Sequence, residues 1–204
     1  SLITSINLNV CTKLKTLGYY SFQGCSLLTT IGSGILPSSL TEMQQGVFYN
    51  CTSLVGDIYS DATMQLVNGE QFRSTKITSL VLPNVYGAIG SYFLDGASAI
   101  TNVILSQNVT SFGQRFAPSC KTIINIEPKE YPKVTSIGAY FLPQITNITG
   151  DWKFPELTSL GGTDIFRNTR ITSFYAPKLT AITGYSFLDN PSLTNVVLSP
   201  NLTS

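Results

Sequence analysis

The sequence contains no histidine, and this absence excludes much of the chemistry that enzymes use. Without histidine the chain cannot build a Ser-His or Cys-His nucleophile system, or a zinc or iron site ligated by histidine. It also has no Cys-x-x-Cys pair for zinc and no Ser-x-x-Lys arrangement that would activate a hydroxyl group. We therefore expect no catalytic residues, no metal and no cofactor.

Charge is also scarce in this chain. Charged residues make up 11% of the sequence, the net charge is +1, and the sequence pI is about 7.5. The 12 basic residues are scattered and form no run, whereas binding to nucleic acid or to an anionic membrane needs clustered Lys and Arg. No apolar stretch approaches the roughly 20 residues of a membrane-spanning helix. We therefore expect no nucleic-acid partner and no transmembrane segment in this chain.

Phenylalanine marks a repeat that runs along the whole sequence. Eight Phe residues recur at intervals of 21 to 26 residues, within the range of leucine-rich repeats: Phe22, Phe48, Phe72, Phe93, Phe116, Phe141, Phe166 and Phe187. A unit of this length cannot bury its own apolar face. Stacked units would bury a continuous core, and we expect the Phe side chains to fill one column of it.

Each repeat contains the same order of short segments. An alternating stretch that ends at Pro, such as Leu80–Pro83, predicts a strand, because Pro lacks a donor for the sheet. A second short piece with apolar ends follows, such as Val134–Ile137, and then a Gly turn and the Phe-bearing loop. Three or four residues after Phe comes a small or polar residue that we expect to hydrogen-bond the loop backbone.

Three cysteines occupy this last position: Cys25, Cys51 and Cys120. We interpret them as structural thiols. Cys25 and Cys51 lie one repeat apart, so the sequence leaves a disulfide between them open. Four Asn-x-Thr sequons, at Asn50, Asn108, Asn147 and Asn201, matter only if the source is eukaryotic.

The repeat resembles that of the BspA-like, or Treponema pallidum-type, leucine-rich-repeat family. That family's unit has the form L-x-x-I-x-L-P-x-x-L-T-x-I-G-x-x-A-F-x-x-C/N, which Ile77–Pro83, Ile89–Phe93, Leu14–Cys25 and Val134–Phe141 match closely. The resemblance covers essentially the whole chain, although the unit Met64–Phe72 lacks the Thr-x-Ile-Gly element. It implies an α/β-type leucine-rich-repeat solenoid, mostly strands and loops with little helix, coiled right-handed with a parallel concave sheet.

We expect one solenoid domain over residues 1–204, with about eight complete repeats and a truncated ninth. Both ends of the sequence fall inside the repeat pattern, and no signal peptide is visible within it. We therefore interpret the chain as a mature or trimmed piece of a longer protein.

The resemblance also implies that the sheet lines a concave face that binds ligands. Alternation along the strands places one outward column there, namely Asn7, Ile35, Tyr59, Val81, Ile104, Asn125, Lys153, Tyr175 and Val197. A more polar column lies two residues earlier, namely Ser5, Ser33, Asp57, Ser79, Asn102, Ile123, Asp151, Ser173 and Asn195. The candidate contact residues are Tyr59, Val81, Ile104, Lys153 and Tyr175. Alternatively, such residues stand there only because they favour strands.

The resemblance favours a non-enzymatic protein-binding or adhesion module of a surface-displayed or secreted protein from a host-associated bacterium. Its partner would be a protein, for example of the host extracellular matrix or cell surface. One alternative is a structural spacer that holds another domain away from a cell wall. Another is a carbohydrate-active β-solenoid enzyme, for which the candidate acids are Asp57, Asp61, Glu127 and Asp151.

Overall fold

A computed structural model describes residues 1–203 of the chain. Over these residues the chain forms fourteen short strands joined by turns, and none of it is helical. This range therefore holds no helix that is long and apolar enough to cross a membrane. The strands are β1 (Thr16–Leu17), β2 (Glu42–Met43), β3 (Val55–Tyr59), β4 (Gln65–Leu66), β5 (Lys76–Val81), β6 (Gly87–Ile89), β7 (Asn102–Ile104), β8 (Val109–Phe112), β9 (Asn125–Glu127), β10 (Ser136–Gly138), β11 (Thr149–Lys153), β12 (Ser159–Gly161), β13 (Arg170–Ala176) and β14 (Asn195–Leu198).

The strands form two walls of parallel sheet. The first wall consists of a four-stranded sheet, β3-β5-β7-β9, and a three-stranded sheet, β11-β13-β14. The second wall consists of the sheets β1-β2-β4 and β6-β8-β10-β12. Within each sheet, every strand pairs with the equivalent strand of the next coil, which gives a β-solenoid of about eight turns. The predicted leucine-rich-repeat solenoid with a parallel sheet is confirmed, and the first wall is its predicted concave sheet.

One coil shows how the repeat sets local structure. In β5, Ile77 and Leu80 point into the core and are fully buried. The first-wall strand stops before Pro83, which has no N–H to donate to a neighbouring strand. In β6, Ile89 returns to the core from the second wall, and Phe93 closes the coil from the loop. Both walls and the loop of the coil thus contribute apolar side chains to the core.

The eight Phe side chains form the column that the repeat predicts. Ring centroids of consecutive Phe residues lie 5.2 to 6.4 Å apart from Phe22 to Phe187. The six inner rings are at most 1% exposed, whereas Phe22 and Phe187 are only partly buried. Because each ring packs against rings of the preceding and following coils, the column joins the coils into one hydrophobic core.

Three of the small or polar residues that follow Phe hydrogen-bond the previous coil. The Cys51 thiol donates to the carbonyl oxygen of Phe22 at 3.0 Å, and the Cys120 thiol donates to that of Leu94 at 3.0 Å. The amide nitrogen of Asn190 donates to the carbonyl oxygen of Phe166 at 2.7 Å. All four cysteines are free thiols, so Cys25 and Cys51 are not bridged. At Cys51, Cys120 and Asn190 the position therefore provides donors for backbone oxygens of the preceding coil, whereas Thr75 and Thr169 donate to the Phe carbonyl of their own coil.

Glycine on the second wall lets neighbouring coils approach closely. A Cβ atom on Gly113 would lie 2.5 Å from the backbone nitrogen of Ser91, and one on Gly138 would lie 2.4 Å from that of Gln114. Both distances are shorter than any that packed atoms tolerate. The apolar-Gly pair of the repeat is thus required by coil-to-coil contact at these positions as well as by turns.

Arginine and tyrosine side chains join the loops on the outside of the Phe column. The guanidinium of Arg73 lies between the rings of Tyr49 and Tyr92, 5.1 and 4.7 Å from their centroids. Arg115 also contacts the ring of Tyr92, at 5.7 Å. The Asp95 carboxylate forms salt bridges with both arginines, at 3.8 Å to Arg73 and 3.3 Å to Arg115. Cation–π contacts of this kind stabilise the packing of neighbouring coils.

We predict that the stability of the chain depends on the inner rings more than on the end rings. Phe93→Ala removes a fully buried ring that packs against Phe72 and Phe116, and it should lower the free energy of unfolding by about 3–5 kcal/mol. Phe187→Ala, which removes a partly exposed ring, should cost clearly less. Urea unfolding followed by circular dichroism measures both, and equal losses would contradict the packing described.

We also predict that only one thiol is accessible in the folded chain. Burial raises the pKa of the Cys51 thiol to about 11 and that of the Cys120 thiol to about 12, Cys25 is buried, and Cys11 is exposed. Because the thiolate is the reactive form, iodoacetamide at neutral pH should label Cys11 alone, and Cys11→Ser should abolish labelling. Unfolding in urea should expose all four thiols, and mass spectrometry counts them.

Candidate ligand-binding face

The candidate contact residues lie on the outer surface of the first wall, but in two groups. Tyr59, Val81 and Ile104 stand opposite one another on β3, β5 and β7. Lys153 and Tyr175 stand opposite one another on β11 and β13. The side chains of Tyr59 and Tyr175, the two aromatic residues of this set, are 41% and 39% exposed.

A break in the first wall separates the two groups. Glu127 at the end of β9 pairs with Ile104, but β9 and β11 belong to different sheets. The contact that continues the wall is an isolated bridge between Glu130 and Lys153. Pro128 lies between the two glutamates and cannot donate to a ladder. The outward column is therefore stepped at this coil.

The register expected from the sequence is wrong at this same coil. Asn125 pairs with Asn102 and so belongs to the polar column, and Glu127 takes the place beside Ile104. Ile123, expected to face outward, is fully buried. The physical reason is that Ile123 and Ile124 are both apolar, so the alternation of residues does not show which of the two points inward. In the structure Ile123 is buried in the core and Ile124 is exposed.

The polar column forms a hydrogen-bonded ladder across β3, β5 and β7. Asp57, Ser79 and Asn102 stand opposite one another in successive strands, and we call this set the first ladder. The amide nitrogen of Asn102 donates to the Ser79 hydroxyl at 2.9 Å. Asn125 extends the row by donating to the amide oxygen of Asn102 at 2.8 Å. The side chains are therefore held in fixed positions relative to one another.

The same order of side chains recurs on the second sheet of this wall. Asp151, Ser173 and Asn195 stand opposite one another on β11, β13 and β14, and we call them the second ladder. The sequence around them repeats too: QFRSTKITSLVLP at residues 71–83 corresponds to IFRNTRITSFYAP at residues 165–177. The chain therefore carries a longer repeat of four coils, which a comparison of neighbouring units does not reveal.

A glycine bulge directs the carboxylate of each ladder outward. The pairing register shifts after Gly56 and after Gly150, and both glycines have a φ of 85°. An L-residue with a side chain rarely adopts this backbone geometry. A threonine of the next strand then fixes each carboxylate, with Thr78 donating to Asp57 at 2.6 Å and Thr172 donating to Asp151 at 2.7 Å.

A cavity of about 360 Å³ adjoins the second ladder. It is lined by Glu130, Lys153, Pro155 and Tyr175, so it contains two of the candidate contact residues. The ammonium of Lys153 lies 3.9 Å from the Glu130 carboxylate, and both side chains are about half exposed. Such a pair is weak in water, which leaves both groups available to a ligand.

Two of the acids considered for catalysis, Asp57 and Asp151, are too far apart to form a pair. Asp57 and Asp151 occupy strands four coils apart, which corresponds to about 19 Å along the solenoid. Glycosidase carboxylates must lie within about 10 Å of each other. Among residues 1–203, no group of three or more Cys, Asp or Glu side chains is placed to hold a metal ion.

Comparison with known proteins identifies the repeat. The model of the BspA type leucine rich repeat region matches residues 1–124 and 119–204, with 6 copies. The chain belongs to the BspA-type leucine-rich-repeat family. This finding confirms the resemblance of Ile77–Pro83 and the other segments to that family. No curated protein sequence matches the chain significantly.

Two bacterial crystal structures are similar in fold to this BspA-type repeat chain. One is a leucine-rich repeat protein from Bacteroides ovatus ATCC 8483, with 16% identity and a TM-score of 0.68 over 97% of this chain and 55% of that one. The other is a leucine rich cell surface protein from Faecalibacterium prausnitzii A2-165, with 14% identity and a TM-score of 0.50 over 97% of this chain and 73% of that one. The chain spans about half the length of the first. At these identities the similarity shows the fold alone.

We predict that the second ladder contributes to the acid sensitivity of this repeat domain. Hydrogen bonds from Thr172 and Ser173 lower the pKa of Asp151 below its ordinary value of 3.8. A carboxyl group whose folded pKa is lowered stabilises the fold above its unfolded pKa, and this stabilisation is lost as the pH falls through the folded pKa. Asp151→Asn should therefore lose some stability at pH 7 and show a smaller drop between pH 7 and pH 3.

Urea unfolding at the two pH values measures this difference. The matched control is Asp61→Asn, which changes an exposed carboxylate outside the ladders. An acid-induced drop in the Asp151→Asn variant as large as in the parent chain would contradict the proposed role of the two hydroxyl donors.

Proposed function

We propose that this chain is a non-enzymatic binding module that adheres to a protein partner through its first wall. The observation that carries the proposal is the alignment of exposed tyrosines and half-buried apolar side chains beside a row of polar ones. Tyr59, Val81 and Ile104 adjoin the first ladder, and Lys153 and Tyr175 adjoin the second. Aromatic side chains are enriched where proteins bind partners.

The geometry suits binding better than catalysis. The wall is a broad surface built from rigid strands, and its carboxylates are dispersed along it. Repeat families of this type use such extended surfaces for recognition. We therefore propose that the wall provides many modest contacts and no reactive centre.

We further propose that the protein acts on the surface of a host-associated bacterium or after secretion. Family membership supports this location, as does the similar fold of the protein from Faecalibacterium prausnitzii, which is described as a cell surface protein. The partner would be a host extracellular-matrix or cell-surface protein. Many copies on one surface would raise the avidity of a module whose single contacts are weak.

We also propose that residues 1–204 act as one solenoid domain of about eight complete repeats and a truncated ninth. The continuous core supports this unit, because buried apolar side chains run from Leu8 to Leu179 in a single cluster. A single unit of this kind would present both groups of contact residues to the same partner.

The adhesion of chain-coated beads to host cells and to immobilised matrix proteins tests the proposal. Replacing Tyr59, Ile104 and Tyr175 together with Ser should reduce adhesion at least tenfold, because it removes the apolar contact area of both groups. The matched control replaces Leu27, Tyr86 and Leu188 with Ser, three exposed apolar residues away from the first wall. Equal adhesion by the two variants would contradict the proposed face, and no adhesion by the parent chain would favour a structural spacer.

A further inference from the structure

We propose that the first wall recognises a neutral carbohydrate chain through two similar subsites, each formed by one ladder and a tyrosine beside it. The inference rests on the proposed binding function of this wall and specifies the chemical class of its ligand. The carbohydrate would be carried by the protein partner or by the partner's cell surface.

The ladders present the hydrogen-bonding groups that sugar hydroxyls require. A sugar hydroxyl both donates and accepts, and neighbouring hydroxyls on a ring need a row of partners of both kinds. Each ladder offers a carboxylate acceptor, a Ser hydroxyl and an Asn amide in successive strands about 4.8 Å apart. A threonine donor holds the carboxylate of each ladder, and a hydrogen bond to Ser79 holds Asn102 in the first, so these side chains lose little freedom on binding.

Each ladder also has one exposed tyrosine beside it. Tyr59 lies two residues after Asp57 in β3, and Tyr175 lies two residues after Ser173 in β13, on the same face of the wall. Their rings are 41% and 39% exposed. The C–H groups on one face of a pyranose ring pack on an aromatic ring while its hydroxyls reach outward. A pyranose ring stacked on Tyr175 would enter the cavity that this tyrosine lines. The cavity volume of about 360 Å³ falls within the range of small-ligand sites.

The charges on this wall favour a neutral sugar over an acidic one. The lysines near the second ladder are matched by acids, because Lys153 faces Glu130 and Lys178 contacts Glu156 at 2.6 Å. Each ladder adds a carboxylate, Asp57 or Asp151, at the surface. The wall therefore lacks the surplus of positive charge that a sulfated or uronic polymer needs.

An extended peptide fits the wall less well. The backbone groups of the central strands already pair within the sheets, so the wall offers a peptide only side-chain contacts. Peptide recognition by sheets usually adds a strand at an edge instead. A row of fixed polar side chains beside single aromatic rings meets the needs of a hydroxyl-rich ligand more completely.

The two subsites have a fixed separation. Four coils lie between β3 and β11, which corresponds to about 19 Å. An oligosaccharide long enough to span this distance would engage both ladders at once, and its affinity would exceed that of a shorter one. Length dependence is thus a property that a single sugar site would not show.

Binding of the intact chain to immobilised neutral linear oligosaccharides of increasing length tests the inference. We expect a rise in affinity once the oligosaccharide spans the two subsites. Tyr59→Ala and Tyr175→Ala should each weaken binding of the long ligand about tenfold, and each should abolish the length dependence. Asn195→Ala, which truncates an exposed rung of the second ladder, should act in the same direction as Tyr175→Ala.

The control Tyr86→Ala removes a tyrosine that is 41% exposed and lies away from the first wall, and it should bind as the parent chain does. Circular dichroism melts of all variants separate lost binding from lost folding. The inference is overturned if no neutral oligosaccharide binds, if sulfated ones bind more tightly, or if the Tyr59 and Tyr175 variants match the control.

The bead assay separates this inference from the proposed function. Enzymatic removal of glycans from the host cells and matrix proteins should abolish adhesion of the parent chain. The variant with Ser at Tyr59, Ile104 and Tyr175 should fail to adhere even without this treatment. If adhesion survives glycan removal but still requires these residues, the wall binds protein and the carbohydrate inference fails alone. If adhesion does not require them, the proposed face fails as well.

Discussion

Each coil of this solenoid can bury its apolar side chains only against the coils before and after it. The Phe rings make this dependence concrete, since each inner ring has a neighbouring ring about 5 to 6 Å away on either side. The hydrogen bonds from Cys51, Cys120 and Asn190 follow the same direction, from one coil to the preceding one. Stability is therefore shared between neighbours, and no coil has a core of its own.

Stacking of this kind also explains how a protein with few charges can present a precise surface. Strands of successive coils are held at one spacing by their backbone hydrogen bonds. Side chains in equivalent positions then line up without any help from a helix or a long loop. The ladders are a direct result, because Asp57, Ser79 and Asn102 need only to occupy the same position in three consecutive coils. The bulges after Gly56 and Gly150 mark the two strands where this row begins.

The sequence was sufficient to predict the features that recur in every unit. The spacing of Phe93 and its equivalents predicts the central column, and the Pro and Gly positions predict where strands and turns fall. Features that depend on a single coil were not predictable in this way. The register around Ile123 was wrong because neighbouring isoleucines conceal which one the core selects. The Arg73 contacts were missed because Tyr49 follows its Phe in the sequence whereas Tyr92 precedes its own, so their proximity is visible only once the coils are stacked.

Because four coils separate the two ladders, the distance between the ladders is a whole number of strand spacings. Adding or removing one whole coil between the ladders would shift their separation by one strand spacing, about 4.8 Å, and would leave the geometry within each ladder untouched. Intermediate distances are not accessible, because a partial coil would break the Phe column. A lineage that gains or loses single coils between the ladders would thus sample ligand lengths in fixed steps, while the chemistry of contact at each ladder stayed the same.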